Sequence, residues 1–564
     1  MTREDAVRAA GPQRRRRGLN GMLSRMRLSV PRPVRRALGA LPALLVTSTR
    51  PLAAQAPAER PALVLVISVD QFTPAYLERW RGQFTGGFAR LLTDGRTFTK
   101  AYQDHAITET APGHASILSG RFPYSTGIAM NAVGVNTNDA PLLGTHQTGA
   151  SPARFRGTTL ADWLVAADPA ARVLSVSRKD RGAILPVGRG RHAVYWYAQS
   201  TGRFTTSTWY ADSLPTWVQA FGDERRPFTT YAGQTWSPLL PDSAYAEPDS
   251  VPGESFGREF TFPYVMPSDS LRAANLLIAF PFMDAFTLDF AWRGVQALEL
   301  GTRGHTDLLA VSLSTTDAVG HRWGPDSREM HDHVLRLDRM LGMFLDSLTQ
   351  RVGAERLLVA LTADHGIGPS PEVRSTHYAN RGVRRVYMEE FQPAISAAAA
   401  EAQRAGVPLE SLGFDGFTLT VDSTLAQRKA RDVRRVGEAF AREARKIGGV
   451  ARVDLLEQLA RADTVNDAIA RRWLHMFRPG GEVLATVTLA PFHLLGDGNP
   501  ATHGSPHDYD AQVPLLLFGP WITPGTDETF TRVVDLAPTL ARVLGLTPAE
   551  PLDGVVLERA LRRP

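Results

Sequence analysis

The chain has 564 residues, no cysteine and a formal net charge of +6. The missing cysteine excludes disulfides, Cys-ligated zinc and a cysteine nucleophile. Residues 1–56 carry twelve of the 63 Lys+Arg and two of the 57 Asp+Glu, which leaves 51 basic against 55 acidic residues, a net of −4. The basicity therefore belongs to the leader and implies no nucleic-acid partner.

The leader reads as a secretory signal. Arg25, Arg27, Arg32, Arg35 and Arg36 precede the short apolar run ALGALPALLV, and Ala54-Gln55-Ala56 fits a small-x-small cleavage site. Pro42 interrupts that run, and it is too short to span a bilayer well. A periplasmic or secreted protein with no membrane anchor after cleavage is expected.

The mature chain opens with a strand, Ala62 to Val69, that ends on Asp70. Helices are expected around Pro74–Trp80 and Gly86–Asp94, and behind Thr110 in TETAPGHASILSG. Ala161–Ala167 reads as helix and Arg172–Val176 as strand. A long helix, Met283 to Leu300, leads into strand Leu308–Leu313, after which Asp317 and His321 follow. Val334, Leu337, Leu341, Leu345 and Leu348 repeat at helical spacing within His331–Leu348. Strand Leu357–Leu361 then runs up to Asp364 and His365. His503 lies just before strand Val513–Phe518, and a last helix spans Asp535 to Leu544. This alternation predicts an α/β fold with a mainly parallel sheet and helices on both faces.

Two stretches break the alternation. Residues 191–280, rich in Pro, Gly, Ser and aromatics, read as a cap. Residues 372–498 read as a small α+β insert, with Val433, Val436, Phe440, Ala444 and Ile447 on one helix face stopped by Gly448-Gly449. The core is then 57–190, 281–371 and 499–564. The arginines at 428–446 alternate with Asp432, Glu438 and Glu443, as on a solvated, salt-bridged face.

Asp70, Asp317, His321, Asp364, His365 and His503 thus fall in four clusters beside apolar strand-like runs. Oxygen and imidazole donors without thiolate suit two ions of the Zn²⁺ class. Strand ends of an open α/β sheet are where such donors converge. Asp317 and His321, four apart on a helical turn, share a face. Thr110 either caps a helix or is a hydroxyl activated by a metal. In the second case, amides of the helix N-terminus would favour a phosphate there.

These residues carry a family resemblance. VDQ after the first strand, TETAPGHASILSG, SRKDRGAILPVGR, the aromatic VYWY, TGRF and STWY segments, STTDAVGH, LTADHGIG and THGSP stand in the order of the alkaline phosphatase superfamily. Within it they resemble the type I phosphodiesterase/phosphatase branch, and most of all its phosphate-irrepressible periplasmic alkaline phosphatases. The resemblance implies an alkaline-phosphatase-like fold and a phosphate monoesterase with two Zn²⁺. Asp317, His321 and His503 would hold one ion. Asp70, Asp364, His365 and the oxygen of Thr110 would hold the other. Thr110 would be the nucleophile of a phosphothreonine intermediate, and Asn131 a donor to a phosphoryl oxygen. Lys179 and Arg181 would grip the dianionic monoester, with Asp180 orienting them.

Small phosphate monoesters are the expected partners, and a monomer is favoured. A phosphodiesterase or nucleotide pyrophosphatase on the same scaffold, and a non-catalytic phosphate-binding protein, are the competing readings. His507 lies four residues after His503, where it competes as a ligand. His114 is expected to be structural, and His105, His331, His333 and His377 ordinary polar histidines.

Overall fold

The computed structural model describes residues 60–377 and 382–562. The expected leader lies outside them. The core is one ten-stranded sheet with β1 (Leu63–Val69), β2 (Arg96–Tyr102), β3 (Val173–Ser177), β4 (Ala193–Ala198), β5 (Arg203–Thr205), β6 (Asp307–Leu313), β7 (Leu357–Thr362), β8 (Gln512–Phe518), β9 (Gly525–Asp527) and β10 (Thr531–Arg532), the last pairing with β2 beside the main path. Along that path the order is β9-β2-β8-β7-β1-β6-β3-β4-β5. The run β7-β1-β6-β3-β4 is parallel. Every residue of β1, β3, β6 and β7 is buried, as strands covered on both faces must be.

Register decides where the site lies. Val69 pairs with Leu313, Ser68 with Thr362, and Ser177 with Ser312. The carboxyl ends of the central strands are therefore level. β8 runs antiparallel to β7, with Leu515 opposite Thr362. Its start, and the loop bearing His503, thus reach the same edge.

The helices that matter here are α1 (Thr110–Ser119), α2 (Asp180–Ile184), α3 (Phe282–Ala297), α4 (Thr315–Trp323) and α5 (Arg328–Val352). α5 begins three residues before the expected start because Ser327 caps it, its hydroxyl accepting from Met330 N at 3.1 Å. α3 ends at Ala297, short of the expected Leu300.

Two expectations need correcting. β2 has no counterpart in the sequence reading. Its pattern RTFTKAY carries charge, and only two of its residues are buried, so it lacks the apolar signal. The cap does not begin at 191, because β4 and β5 complete the main sheet. Residues beyond 205 form short helices and an aromatic cluster in which Trp236 packs against Phe262, Tyr264, Phe280 and Trp323.

Within 372–498, a four-stranded antiparallel sheet orders Leu412–Phe414, Thr418–Val421, Val483–Leu489 and Val450–Leu455. Helices Gln392–Ala405 and Ala430–Ala444 share a separate hydrophobic cluster with it. Ile447 falls beyond the end of the second helix. Among the described residues no single helix is long and apolar enough to cross a membrane.

Candidate active site

The first charged residue after each of β1, β6 and β7 turns into one buried pocket. Asp70 follows β1, Asp364 and His365 follow β7, and Asp317 sits in the first turn of α4 behind β6. Asp70, Asp364 and His365 form one group whose ligand atoms lie within 4.8 Å of one another, and Asp317, His365 and His503 form another. His365 belongs to both. His321 Nε2 is 3.3 Å from Asp317 Oδ1 and so joins the second.

All three imidazoles are held in the same tautomer. Nδ1–H donates to a backbone carbonyl in each: His321 to Ala501 at 2.9 Å, His365 to Gly366 at 3.0 Å, and His503 to Thr108 at 2.7 Å. Nε2 of each is thereby left as a lone-pair donor, which is how metal-ligating histidines are oriented. Among the described residues His365 Nε2 and Asp70 Oδ1 are buried without a hydrogen-bond partner, and they lie 3.6 Å apart. Three carboxylates and three imidazoles, free of thiolate and with orphaned donor atoms facing one another, fit two ions of the Zn²⁺ class.

Thr110 is the first residue of α1 and is buried. Glu109 occupies the N-cap position, so the hydroxyl of Thr110 is not spent on capping. It accepts instead from Lys179 Nζ at 3.1 Å. The same ammonium lies 2.7 Å from Asp70 Oδ2 and 2.8 Å from Asp317 Oδ2. The expected cradle of helix amides is smaller than the sequence implies. Ala111 N donates to Asn131 Oδ1 at 2.9 Å, Gly113 N to Glu109 O at 3.1 Å, and Pro112 has no N–H. Asn131 is fixed from its other end too, its N–H donating to Glu109 Oε2 at 2.6 Å. With Oδ1 engaged, its amide nitrogen is the group left to donate.

Lys179 and Arg181 diverge. Lys179 enters the pocket, whereas the Arg181 guanidinium pairs with Asp180 at 3.5 Å, and among the described residues no hydrogen bond joins it to Thr110. Asp180 does orient its neighbour, accepting from Arg181 N at 2.6 Å.

Electrostatics follow from burying three carboxylates together. Burial, then the charges of Asp317 and Asp364, raise the Asp70 carboxyl above its ordinary value. Burial opposes ionisation of Asp317 as well, yet Lys179 and His321 hold it well below the usual range. Burial and then His503 push the His365 imidazole well down, so it is neutral and able to ligate.

Several residues not assigned a role from sequence support the site. Gln71, with φ of +64°, donates from its backbone to Asp364 Oδ1 at 3.0 Å and from Nε2 to Asp317 Oδ1 at 3.2 Å. Arg178, inside the SRKDR motif, is buried behind Asp317, 3.6 Å from its Oδ2, and donates to Ser314 O at 3.2 Å. His114 does more than fill space: Nδ1 faces Thr110 O at 2.9 Å and Asp364 Oδ2 at 3.1 Å, and Nε2 faces Ser312 Oγ at 2.9 Å. The polar types in these motifs were the available signal; their direction was not.

The remaining histidines lie elsewhere. His507 donates from Nε2 to Leu489 O at 2.9 Å, and among the described residues it lies in neither close group of ligand atoms. His331 bridges Glu247 and Gln83, and His333 meets Thr316 Oγ1 at 3.0 Å. His105 is buried with no hydrogen-bond partner among the described residues. The side chain of His377 lies outside the described residues.

A parallel sheet with this donor set at its carboxyl edge defines a metal-dependent hydrolase scaffold. The chain belongs to the type I phosphodiesterase / nucleotide pyrophosphatase family, whose family model matches residues 64–430. Among its relatives, alkaline phosphatase PhoV of Synechococcus elongatus is 30% identical over 89% of this chain and 93% of its own. A protein of Myroides odoratus named calcium-transporting ATPase is also 30% identical, over 90% and 95% respectively. The crystal structure of wild-type alkaline phosphatase PafA superposes with a TM-score of 0.81 at 28% identity, covering 90% of this chain and all of that one. This protein is accordingly an alkaline-phosphatase-like hydrolase of the PafA type.

Proposed function

We propose that the chain is an exported, zinc-dependent alkaline phosphatase that hydrolyses phosphate monoesters through a phosphothreonine at Thr110 and releases inorganic phosphate. The observation that carries this reading is the Lys179 ammonium, which reaches Thr110 Oγ1 and two ligand carboxylates at once. Asp317, His321 and His503 would hold one zinc ion, and Asp70, Asp364, His365 and Thr110 the other. Bound there, the two ions supply Lewis-acid activation of the nucleophile and stabilisation of the leaving oxygen.

The protein's own groups do the rest. Lys179 stabilises negative charge on Thr110 Oγ1 as its proton leaves, and then charge on the phosphoryl oxygens. Asn131 donates its side-chain amide to one of those oxygens. His114 and Gln71 fix Asp364 against α1, so that nucleophile and ligand keep their spacing. Arg181 grips the dianion once its side chain leaves Asp180. Export rests on the leader over 1–56, and small soluble monoesters are the substrates.

A second reading, phosphodiesterase, is favoured by one observation: the Arg181 guanidinium pairs with Asp180 at 3.5 Å. The two are separated by kcat/KM for p-nitrophenyl phosphate and for bis-p-nitrophenyl phosphate, measured on the zinc-loaded mature protein. A monoester preference, with a phosphate on Thr110 detected by mass spectrometry after acid quench, supports the phosphatase. A diester preference reassigns the chain.

A further inference from the structure

A cavity of about 370 Å³ opens between residues 246–254, the end of α4 and the loop beyond β7. Three parts of its wall lie close in sequence to the site: Trp323 just after His321, Pro369 shortly after His365, and Pro500 shortly before His503. Ala501, next to Pro500, is the residue whose carbonyl holds the His321 ring. The wall is largely apolar, formed by Val251, Trp323, Pro369, Val373 and Pro500.

One carboxyl in that wall is unanswered. Glu254 is 3% exposed, and its Oε2 has no hydrogen-bond partner among the described residues. The charged groups beside it are already engaged. Arg79 pairs with Asp326 at 3.0 Å, and Glu247 with His331 at 2.7 Å. Burial, and then the like charges of Glu329, Asp249 and Asp326, push the Glu254 carboxyl up to about 9. The carboxyl therefore keeps its proton at neutral pH, and a positive ligand beside it favours the carboxylate and releases that proton to solvent.

The segment carrying Glu254 is held under strain. Ser255, Phe256 and Glu259 have φ of 47°, 57° and 48°. Arg322 on α4 pins it, donating to Ser255 Oγ at 2.9 Å and to Glu259 Oε2 at 2.6 Å. Such conformations persist where surrounding contacts over-determine them, as at ligand clamps. A bare divalent ion suits the cavity less. Apolar walls do not replace its hydration, and among the described residues neither close group of three ligand atoms includes Glu254.

We propose that this cavity receives the alcohol part of the ester and that Glu254 selects leaving groups bearing a positive charge, the phosphates of amino alcohols. The proposal rests on the phosphomonoesterase reading and adds a substrate class to it.

The test compares kcat/KM for O-phosphoethanolamine and for ethyl phosphate in the wild type and in Glu254→Gln. Taking the ratio of the two esters within each protein and comparing it between proteins cancels their intrinsic reactivities. The ratio is expected to fall about tenfold or more in the variant, the loss of one buried charge-assisted contact. An unchanged ratio overturns the subsite. A second measurement needs no variant: ethylammonium chloride should compete with O-phosphoethanolamine in the wild type, where ethanol and sodium chloride of equal ionic strength do not. No competition beyond salt, or stronger competition by calcium chloride, overturns it also. Normal p-nitrophenyl phosphate hydrolysis with an unchanged ratio sinks the subsite alone. Failure to hydrolyse any monoester sinks both it and the phosphatase reading.

Discussion

Gly113→Ala tests how the site is spaced. Gly113 lies in α1, three residues after Thr110, where its backbone is helical. Alanine is intrinsically better there by about 0.5–1 kcal/mol, so any loss comes from packing. A Cβ at 113 would lie 2.2 Å from the carbonyl oxygen of Asp364 and 2.8 Å from its Cα. These are backbone atoms beside a metal-ligand candidate, and they cannot swing aside. Restoring ordinary contact requires α1 to retreat from β7 by about 1 Å. Thr110 travels with the helix. A misplacement of that size between nucleophile and ligands costs about 10²-fold in rate. Overpacking costs about 1–3 kcal/mol of stability, partly offset by the helix preference. The assay is monoester kcat/KM at measured zinc content, beside denaturant unfolding. Gly82→Ala is the control, since nothing lies within 4 Å of its Cβ. Wild-type turnover in Gly113→Ala with zinc retained would refute the argument that α1 and the Asp364 backbone are in rigid contact.

Further outcomes are expected. Asp364→Ala should lose metal and activity together, and full zinc occupancy by elemental analysis would contradict its assignment. Lys179→Ala should lower monoester kcat/KM by about 10–100-fold, the range of one or two charge-assisted contacts; equal losses on a diester would remove it as the monoester determinant. Glu254 also makes a statement about pH. Its folded-state value, about 9, lies above the ordinary 4.5, so the folded protein holds this proton more tightly than the unfolded chain does. The associated stability is fully present below about 4.5 and is lost as pH rises through about 9. Thermal melts of the wild type between pH 6 and pH 9 should therefore fall more steeply than those of Glu254→Gln, and parallel curves would show that Glu254 is not protonated in the folded state.

Much of the site was legible because of how parallel strands are built. A strand buried on both faces is nearly all apolar, with small exceptions such as Ser68 and Ser312, so the first charged residue after it marks the carboxyl edge. Asp70, Asp317 and Asp364 stand out on that ground, and His365 as the neighbour of Asp364. His503 was legible only beside a strand start, and its arrival at the same edge depends on β8 running antiparallel to β7. β2 escaped notice because a charged strand near the sheet edge carries no apolar run.

Sequence by itself therefore determined the candidate donor set, the absence of thiolate, the alternating α/β plan and the segment that bears Thr110, since each depends on local residue type and spacing. Tertiary structure alone decided the rest. It sent Lys179 inward while Arg181 turned to Asp180, two residues on. It gave His365 to both ligand groups, spent the α1 amides on Asn131 and Glu109, and left Glu254 Oε2 in a cavity without a hydrogen-bond partner among the described residues. These outcomes are directions of side chains set by contacts between segments far apart in the chain, and residue order carries no record of direction.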